Sequence, residues 1–290
     1  PNSEVNTDLF ALANANATSD WLWNRVVTPS SSGDYNTPYN NIRTINIMLD
    51  NIDKPNQLTD TEKKHMRSLG YFFKAYHYMD LLNKYGKAIW VENALTDGDD
   101  DILYGNTSSR EEIATKILEM LNYAEENIKP TGDGANSINT NVVRALLSRF
   151  GLREGTWRKY HGLQQAEVYL RASAEASKKL ITTIPDLHSD YDELFNSESL
   201  ASNKEVLLYK QYEVNQITHT LASLARNSSG RWDLTKAAVD LYLLKDGQTR
   251  YTSPMFDGDT DPYKEFRNRD TRLYFTVPPP YKTVVNHPSY

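Results

Sequence analysis

The sequence predicts a mostly α-helical protein, in which an array of paired helices is followed by an irregular, mixed subdomain. Between residues 39 and 182, apolar side chains recur at steps of three and four, which is the period of a helix with one buried face. Polar loops separate these periodic segments, and the periodicity weakens after Pro185. We therefore expect a helical region over residues 1–185 and a loop-rich, mixed region over residues 186–290.

The helices follow one another along the first half of the chain. We predict them over residues 39–52, 59–86, 110–127, 142–153 and 165–180. The second helix has the clearest ends, because Thr59-Asp-Thr-Glu62 forms a capping box and Gly86 can adopt the left-handed conformation that stops a helix. Ser108-x-x-Glu111 predicts a second capping box before the third helix.

The second helix is dense in aromatic residues, and its predicted buried face includes Leu69, Phe73 and Tyr76. Gly70 lies inside it, where glycine costs about 1 kcal/mol relative to alanine. We therefore expect a neighbouring helix to approach closely at Gly70. Further predicted core residues are Ile113, Ile117, Leu146 and Leu180. In the mixed region, Glu205–Tyr212 and Leu273–Val277 are predicted to be strands.

Composition narrows the possible functions. A chain of 290 residues can bury a sizeable core, as one large domain or two small ones. The net charge of −6 argues against a nucleic-acid partner, and the scattered Lys and Arg residues argue against a polybasic membrane patch. The absence of cysteine excludes disulfides, a thiol nucleophile and thiolate metal sites. No apolar run approaches the length of a membrane helix, and the polar start Pro1-Asn-Ser-Glu-Val is not a signal peptide.

The sequence contains no recognisable catalytic or metal-binding motif. Asp257-Gly-Asp-Thr-Asp261 has the spacing of a calcium loop, but Pro262 and Asn268 stand where that loop needs Gly and Glu. We interpret this run and Asp97-Gly-Asp-Asp-Asp101 as solvated loop carboxylates. The six histidines lack ligand spacing, and neither a nucleophile elbow nor a phosphate loop is found. We therefore expect no metal, no cofactor and no enzymatic activity, although a glycosidase needs only two carboxylates, which spacing does not test.

The aromatic helix also carries a resemblance to a known family. Ser68-Leu-Gly-Tyr-Phe-Phe-Lys-Ala-Tyr-His-Tyr, followed by Leu and Tyr85-Gly86, resembles the SusD/RagB family of cell-surface nutrient-binding lipoproteins of Bacteroidetes. Other blocks that resemble the family occur in the family's order, from about Tyr39 to Tyr274. These blocks are Ser108–Ala124, Asn139–Arg149, Tyr191–Phe195 with Asn203–Val206, Ala238–Gly247, and Arg267–Tyr274.

The resemblance implies tetratricopeptide-like helical pairs and a non-catalytic function. Such a protein would bind oligosaccharides at the outer-membrane surface and deliver them to a SusC-like TonB-dependent transporter. The family carries a signal peptide and a lipidated cysteine, so we expect a lipid anchor ahead of this chain. The family's later helix has no counterpart before Tyr290, so we expect the mixed region to be truncated. Two alternatives stay open: a peptide-binding lid lipoprotein of the same fold, and a helical-repeat scaffold that binds only protein.

The block Arg267-Asn-Arg-Asp-Thr-Arg-Leu-Tyr274 resembles a family element as well. We expect Asp270, together with Arg267 and Arg272, to hold the mixed region together through bidentate Arg–carboxylate pairs.

The candidate ligand residues lie in the loop after the aromatic helix, residues 90–106. Tyr and Trp combine an apolar face with a polar edge, which suits stacking against a sugar ring, and loops on rigid scaffolds tend to carry function. We expect ligand contacts from Trp90, Asn93, Asp97 and Tyr104. Ile89 stands where the family usually has proline, and the alternative role for Trp90 is packing in the core.

Overall fold

The structure, a computed structural model, divides into two compact units. It describes residues 7–11, 31–201, 203–220 and 233–277. Within these, the larger unit comprises residues 31–189 and 197–210, and the smaller unit comprises residues 7–11, 190–196, 211–220 and 233–277.

Long helices build the larger unit, which confirms the prediction of a mostly helical fold. They are α1 (Gly33–Asn51), α2 (Asp60–Tyr85), α4 (Arg110–Asn127), α5 (Thr140–Tyr160) and α6 (Ala166–Thr183), with the short α3 (Asp100–Leu103) between α2 and α4. The bounds of α4 are the predicted ones. Helix α1 begins six residues before its predicted start, with Pro38 inside it, and α5 continues past Arg153 through Gly155.

The capping signals around α2 are confirmed. The Thr59 hydroxyl accepts a hydrogen bond from the Glu62 N–H (3.3 Å), and the Glu62 carboxylate accepts one from the Thr59 N–H (2.8 Å). Gly86 ends the helix with φ = 73°. The cap of α4 is displaced by one residue from the prediction, because Ser109, rather than Ser108, accepts from the N–H of the third helical residue.

Helices α1 and α2 pack antiparallel. Lys84 near the end of α2 forms an ion pair with Asp34 at the start of α1 (3.2 Å). Gly70, in the first half of α2, lies against the end of α1, where a Cβ added to it would be 2.7 Å from Cδ2 of Leu49. The prediction of a close helix contact at Gly70 is therefore confirmed.

Helices α4 and α5 are also antiparallel, since ion pairs join their opposite ends. Arg110 at the start of α4 pairs with Glu154 late in α5 (2.6 Å), and Arg144 early in α5 pairs with Glu125 late in α4 (2.8 Å). The predicted arrangement of paired antiparallel helices holds for these elements.

Helices α5 and α6 form the tightest pair. The hydroxyls of Ser148 and Ser177 lie 2.7 Å apart, and a Cβ added to Gly155 would lie 2.6 Å from Cγ of Leu170, so the two helices run in opposite directions. Gly151 lies one turn before Gly155, and these glycines let the two backbones approach closely.

The buried face of α2 differs from the predicted one. Phe73 and Tyr76 are 42% and 53% exposed, so their predicted burial is wrong. The buried face instead carries Phe72, Ala75, Tyr78, Leu81 and Leu82. It also includes the polar residues His65, Ser68 and Lys74, each of which makes a hydrogen bond. Because aromatic residues occur on several sides of α2, hydrophobic spacing alone did not identify the side that packs.

The main hydrophobic core of the larger unit lies between its long helices. Ile113 and Ile117 are fully buried, as predicted, whereas Leu69, Leu146 and Leu180 are half-buried. Other core residues are Ile42, Ala75, Tyr78, Leu81, Leu82, Leu121, Leu147 and Phe150.

The smaller unit contains a two-stranded antiparallel sheet and short helices. Its elements are β1 (Phe10–Ala11), α7 (Tyr191–Asn196), β2 (Asp233–Leu234), α8 (Lys236–Asp240), α9 (Pro262–Glu265) and α10 (Thr271–Thr276). The predicted strand at 273–277 is wrong, because Asp270 accepts a hydrogen bond from the N–H of Arg272 and caps a helix there. The predicted strand at 205–212 is also wrong, since the structure describes only irregular chain at these residues.

The arginine block of the smaller unit has a different arrangement from the predicted one. Asp270 pairs with Arg272 through both carboxylate oxygens. Arg267 lies 4.0 Å from Asp257 instead of binding Asp270. The fully buried arginine of the block is Arg269, which donates to a backbone carbonyl of α8.

Candidate functional site

The chain between α2 and α4 begins with residues 89–95, here called the anchored segment, whose backbone is bound by side chains of α1 and α2. The hydroxyl of Tyr39 accepts from the Ile89 N–H (2.8 Å) and donates to the Ile89 carbonyl (2.9 Å). Burial, together with the neighbouring Tyr35 side chain, raises the pKa of Tyr39, so the phenol stays neutral and can do both. Arg43 donates to the carbonyl of Leu95 (2.6 Å).

Two further α1 side chains bind the centre of the anchored segment. The amide of Asn46, which is fully buried, donates to the carbonyls of Val91 (3.2 Å) and Asn93 (3.1 Å). The carboxylate of Asp50 accepts from the side-chain amide of Asn93 (2.7 Å) and from the N–H of Ala94 (2.8 Å). The segment is therefore bound to α1 along its whole length.

Helix α2 binds the same segment with Tyr78 and Lys74. The Tyr78 hydroxyl accepts from the Val91 N–H (2.8 Å) and donates to the Ile89 carbonyl (3.3 Å). The ammonium group of Lys74 donates to the carbonyl of Glu92 (2.8 Å). Because these partners are buried side chains on packed helices, we infer that the segment is rigid.

Trp90 lies half-buried beside this framework. Its ring stacks on Tyr78, with ring centroids 4.4 Å apart and planes inclined by 28°, and its indole N–H donates to Glu92 (2.6 Å). The ammonium groups of Lys74 and Lys116 each lie 4.9 Å from the centre of the indole ring. Trp90 therefore combines core packing with a partly accessible surface that two cations flank.

The other predicted ligand residues lie further along the loop. Asn93 is exposed, with its amide bound to Asp50. Asp97 is exposed in the turn before α3, and Tyr104, directly after α3, is 85% exposed. The structure thus places Trp90 and Asn93 on the anchored segment and places Asp97 and Tyr104 on either side of α3.

A cleft of about 460 Å³, here called the α1 cleft, lies between α1 and the loop. Tyr35, Tyr39 and Arg43 line it from α1, and Leu95 and Leu103 are among the residues that line it from the loop. Its volume falls within the range of small-ligand sites. The loop forms one wall of this cleft, but none of the predicted ligand residues Trp90, Asn93, Asp97 and Tyr104 lines it.

Sequence reasoning missed the α1 residues that fix the loop. Tyr39, Arg43, Asn46 and Asp50 are spaced by four, three and four residues, so they form one polar stripe along a helix. The spacing of these side chains is evident from the sequence. Their hydrogen-bond partner, the backbone of a segment about 45 residues away, is not.

Lys74 gives a pH prediction. Burial lowers its pKa to about 8, although the carboxylates of Glu92 and Asp50 act in the opposite direction. Between pH 8 and the ordinary lysine range the unfolded chain binds more protons than the folded one, so this lysine makes stability rise with pH. We expect the free energy of unfolding, followed by urea titration from pH 7 to 10, to rise by about 2 kcal/mol more in the wild type than in Lys74→Met. If the free energies of unfolding of the wild type and Lys74→Met change with pH in parallel, burial does not lower the pKa of Lys74.

Neither a cluster of metal ligands nor a membrane-spanning helix is present in the described residues. In the described parts of the chain, no three His, Asp or Glu side chains come together as a metal site would require. None of the helices described there has the length and apolarity needed to cross a bilayer.

Comparison with known proteins yields one family and a common fold. Residues 2–152, about half of the chain, match the SusD-like family described as "Starch-binding associating with outer membrane". A SusD-like carbohydrate-binding protein from Bacteroides fragilis superimposes with a TM-score of 0.65 at 22% identity, over 83% of this chain and 45% of its own. A SusD superfamily protein from Parabacteroides distasonis gives a TM-score of 0.67 at 18% identity, over 84% and 54%.

A structure solved with a xylogluco-oligosaccharide gives a TM-score of 0.57 at 19% identity, over 74% of this chain and 44% of its own. At these identities the likeness establishes the fold alone. The chain spans about half the length of the solved structures it matches. No curated protein matches it.

Proposed function

Because this chain belongs to the SusD-like family, we propose that it binds oligosaccharides at the bacterial outer-membrane surface without changing them chemically. The resemblance extends this proposal to delivery of the sugar to a SusC-like TonB-dependent transporter, and to an N-terminal lipid anchor. The loop of residues 90–106 provides the ligand surface, with Trp90, Asn93, Asp97 and Tyr104 as its contacts.

The observation that carries the proposal is the attachment of residues 89–95 to α1 and α2. A binding loop loses affinity when it must be ordered on binding, and this segment is already held by buried hydrogen bonds. Tyr104, at 85% exposure, presents a ring for stacking that packing in the described residues does not use.

Tyr104 provides the direct test of the ligand surface. We expect Tyr104→Ala to weaken binding of the best ligand about fivefold, the equivalent of one stacking contact of about 1 kcal/mol. The measurement is isothermal titration calorimetry with maltooligosaccharides and xylogluco-oligosaccharides. Tyr160→Ala is the matched control, because Tyr160 is 81% exposed at the end of α5, outside the loop. If Tyr104→Ala and Tyr160→Ala change the affinity for the oligosaccharide equally, Tyr104 is not part of the ligand site.

Trp90 is expected to have a structural role as well as a binding one. Because its ring packs on Tyr78 and against the main core, we expect Trp90→Ala to lower the free energy of unfolding by about 2 kcal/mol, less than a fully buried tryptophan would. We also expect weaker oligosaccharide binding at temperatures where the variant is folded. Chemical unfolding and calorimetry on the same sample separate the two effects, and unchanged stability would make Trp90 a ligand platform alone.

Cargo class and partner need separate experiments. Calorimetry against peptide and glycan panels distinguishes the sugar-binding function from the peptide-binding alternative, which predicts saturable binding of peptides alone.

Co-purification of the complete lipoprotein with outer-membrane proteins tests whether it associates with a TonB-dependent transporter. Absence of any such transporter from the eluate would contradict delivery of the sugar to one.

A further inference from the structure

The anchored segment has two sides, and they face different surroundings. The ring of Trp90 lies against Tyr78 of α2, near Lys116 of α4. Its neighbours Ile89 and Val91 instead line the α1 cleft, to which Trp90 does not contribute. A ligand in the α1 cleft would therefore occupy a surface separate from the one around Trp90.

We propose that the α1 cleft is a second carbohydrate subsite, which takes a short, uncharged oligosaccharide of pyranose rings whose hydroxyls lie at the ring edge. The inference rests on the proposed function because it assumes that the ligand is a sugar. It differs in assigning that sugar to a cavity separate from the surface around Trp90.

Apolar side chains line the cleft on both sides. On the α1 side, the rings of Tyr35 and Tyr39 lie 4.9 Å apart, and Tyr35 also packs edge-on against Tyr85 at 5.3 Å. On the loop side, Leu95 and Leu103 face them across the cleft. A pyranose with equatorial hydroxyls has apolar C–H groups on both faces, so it can fit between two such walls.

A polar stripe runs beside the aromatic one along α1. Asn36, Asn40 and Arg43 line the cleft at intervals of four and three residues. From Asn36 to Arg43 the helix rises about 10 Å, enough to follow a sugar chain of about two rings rather than one. Amide groups donate and accept at once, as pairs of sugar hydroxyls require.

The polar groups of this stripe have bonding capacity left. Within the described residues, the side-chain amide of Asn40 makes no hydrogen bond, while Arg43 uses one guanidinium nitrogen for the Leu95 carbonyl. Among the described residues that line the cleft, Arg43 is the one that carries a charge. The acidic run 97–101 lies just before Ile102 and Leu103 of the lining, so anionic sugars would meet negative charge there. The positive charge of Arg43 disfavours a cationic sugar, and the acidic run disfavours an anionic one. Together they favour an uncharged sugar.

A bulky substitution tests the subsite with little risk to the fold. Asn40 and Asn41 are adjacent exposed residues of α1, but only Asn40 lines the cleft. We expect Asn40→Trp to weaken binding of maltotriose or cellotriose at least tenfold, because the indole would fill the cavity, and Asn41→Trp to bind like the wild type. Thermal unfolding of both variants verifies that they fold. In the wild type, the ¹⁵N-labelled side-chain amide of Asn40 should shift on addition of the trisaccharide, and that of Asn41 should not.

The outcomes separate the two proposals. If the wild type binds these sugars or longer ones while Asn40→Trp binds them equally well and the Asn40 amide does not shift, the subsite is overturned and the proposed function stands. If the wild type binds neither trisaccharides nor longer oligosaccharides, both proposals are overturned. Loss of binding in Asn40→Trp together with a shift of the wild-type Asn40 amide supports the subsite.

Discussion

Glu154→Ala should lower the free energy of unfolding by about 3–5 kcal/mol, because it removes the buried carboxylate that Arg158 and Arg110 share and leaves the buried Arg158 with only the half-exposed Glu111 as a partner. Glu154 and Arg158 are 2% and 1% exposed, and Arg158 donates to the Glu154 carboxylate one helical turn away (2.8 Å). Arg110 of α4 makes two hydrogen bonds to the same carboxylate (3.1 and 2.6 Å). The carboxylate therefore joins two helices as well as neutralising positive charge.

The control for this prediction lies on the next helix. Glu167 and Arg171 of α6 have the same i,i+4 spacing as Glu154 and Arg158, but they are exposed. We expect Glu167→Ala to cost less than about 1 kcal/mol, as exposed ion pairs do. Urea unfolding of the two variants gives the comparison directly. Similar losses in both would mean that the Glu154 cluster is not desolvated.

Gly151→Ala is expected to destabilise the protein by about 3 kcal/mol, the upper end of the usual cost of overpacking. A Cβ at this position would lie 2.5 Å from the carbonyl oxygen of Tyr169 and 2.8 Å from the backbone N of Ser173. Backbone atoms cannot rotate away as a side chain can, so α6 itself would have to move. The gain of about 1 kcal/mol in helix propensity offsets a part of the cost.

Gly33→Ala is the matched control, because Gly33 begins α1 and an added Cβ would meet no atom within 4 Å. Thermal and urea unfolding should show little change or a small gain in stability for this variant. A loss at Gly151 no larger than that at Gly33 would contradict the close approach of α5 and α6.

Local signals in the sequence were sufficient where a structure depends on neighbouring residues. The Thr59 capping box, the Gly86 stop and the bounds of α4 depend on contacts within a few residues, and all were predictable. The strand predicted at 273–277 failed for a local reason too, because the cap at Asp270 overrode the strand preference of an apolar run.

Features that depend on distant partners were not predictable in the same way. Phe73 and Tyr76 were predicted to be buried, but the face of α2 that packs carries Phe72, Ala75 and Tyr78 together with the buried polar residues His65 and Lys74. His65 binds the 129–133 region and Lys74 binds the Glu92 carbonyl, and neither partner lies in α2. The candidate loop was located from the sequence, whereas its attachment to α1 required the three-dimensional arrangement.

The way in which residues 89–95 are held has a consequence for how this protein can evolve. Apart from the Asn93 amide, the anchors from α1 and α2 bind main-chain groups, which are the same whatever side chain a residue carries. Substitutions at positions 92 and 94 can therefore change the surface while the anchoring bonds persist, much as antibody loops vary on a constant framework. Such a segment can acquire a new ligand preference by single mutations while its backbone conformation stays the same.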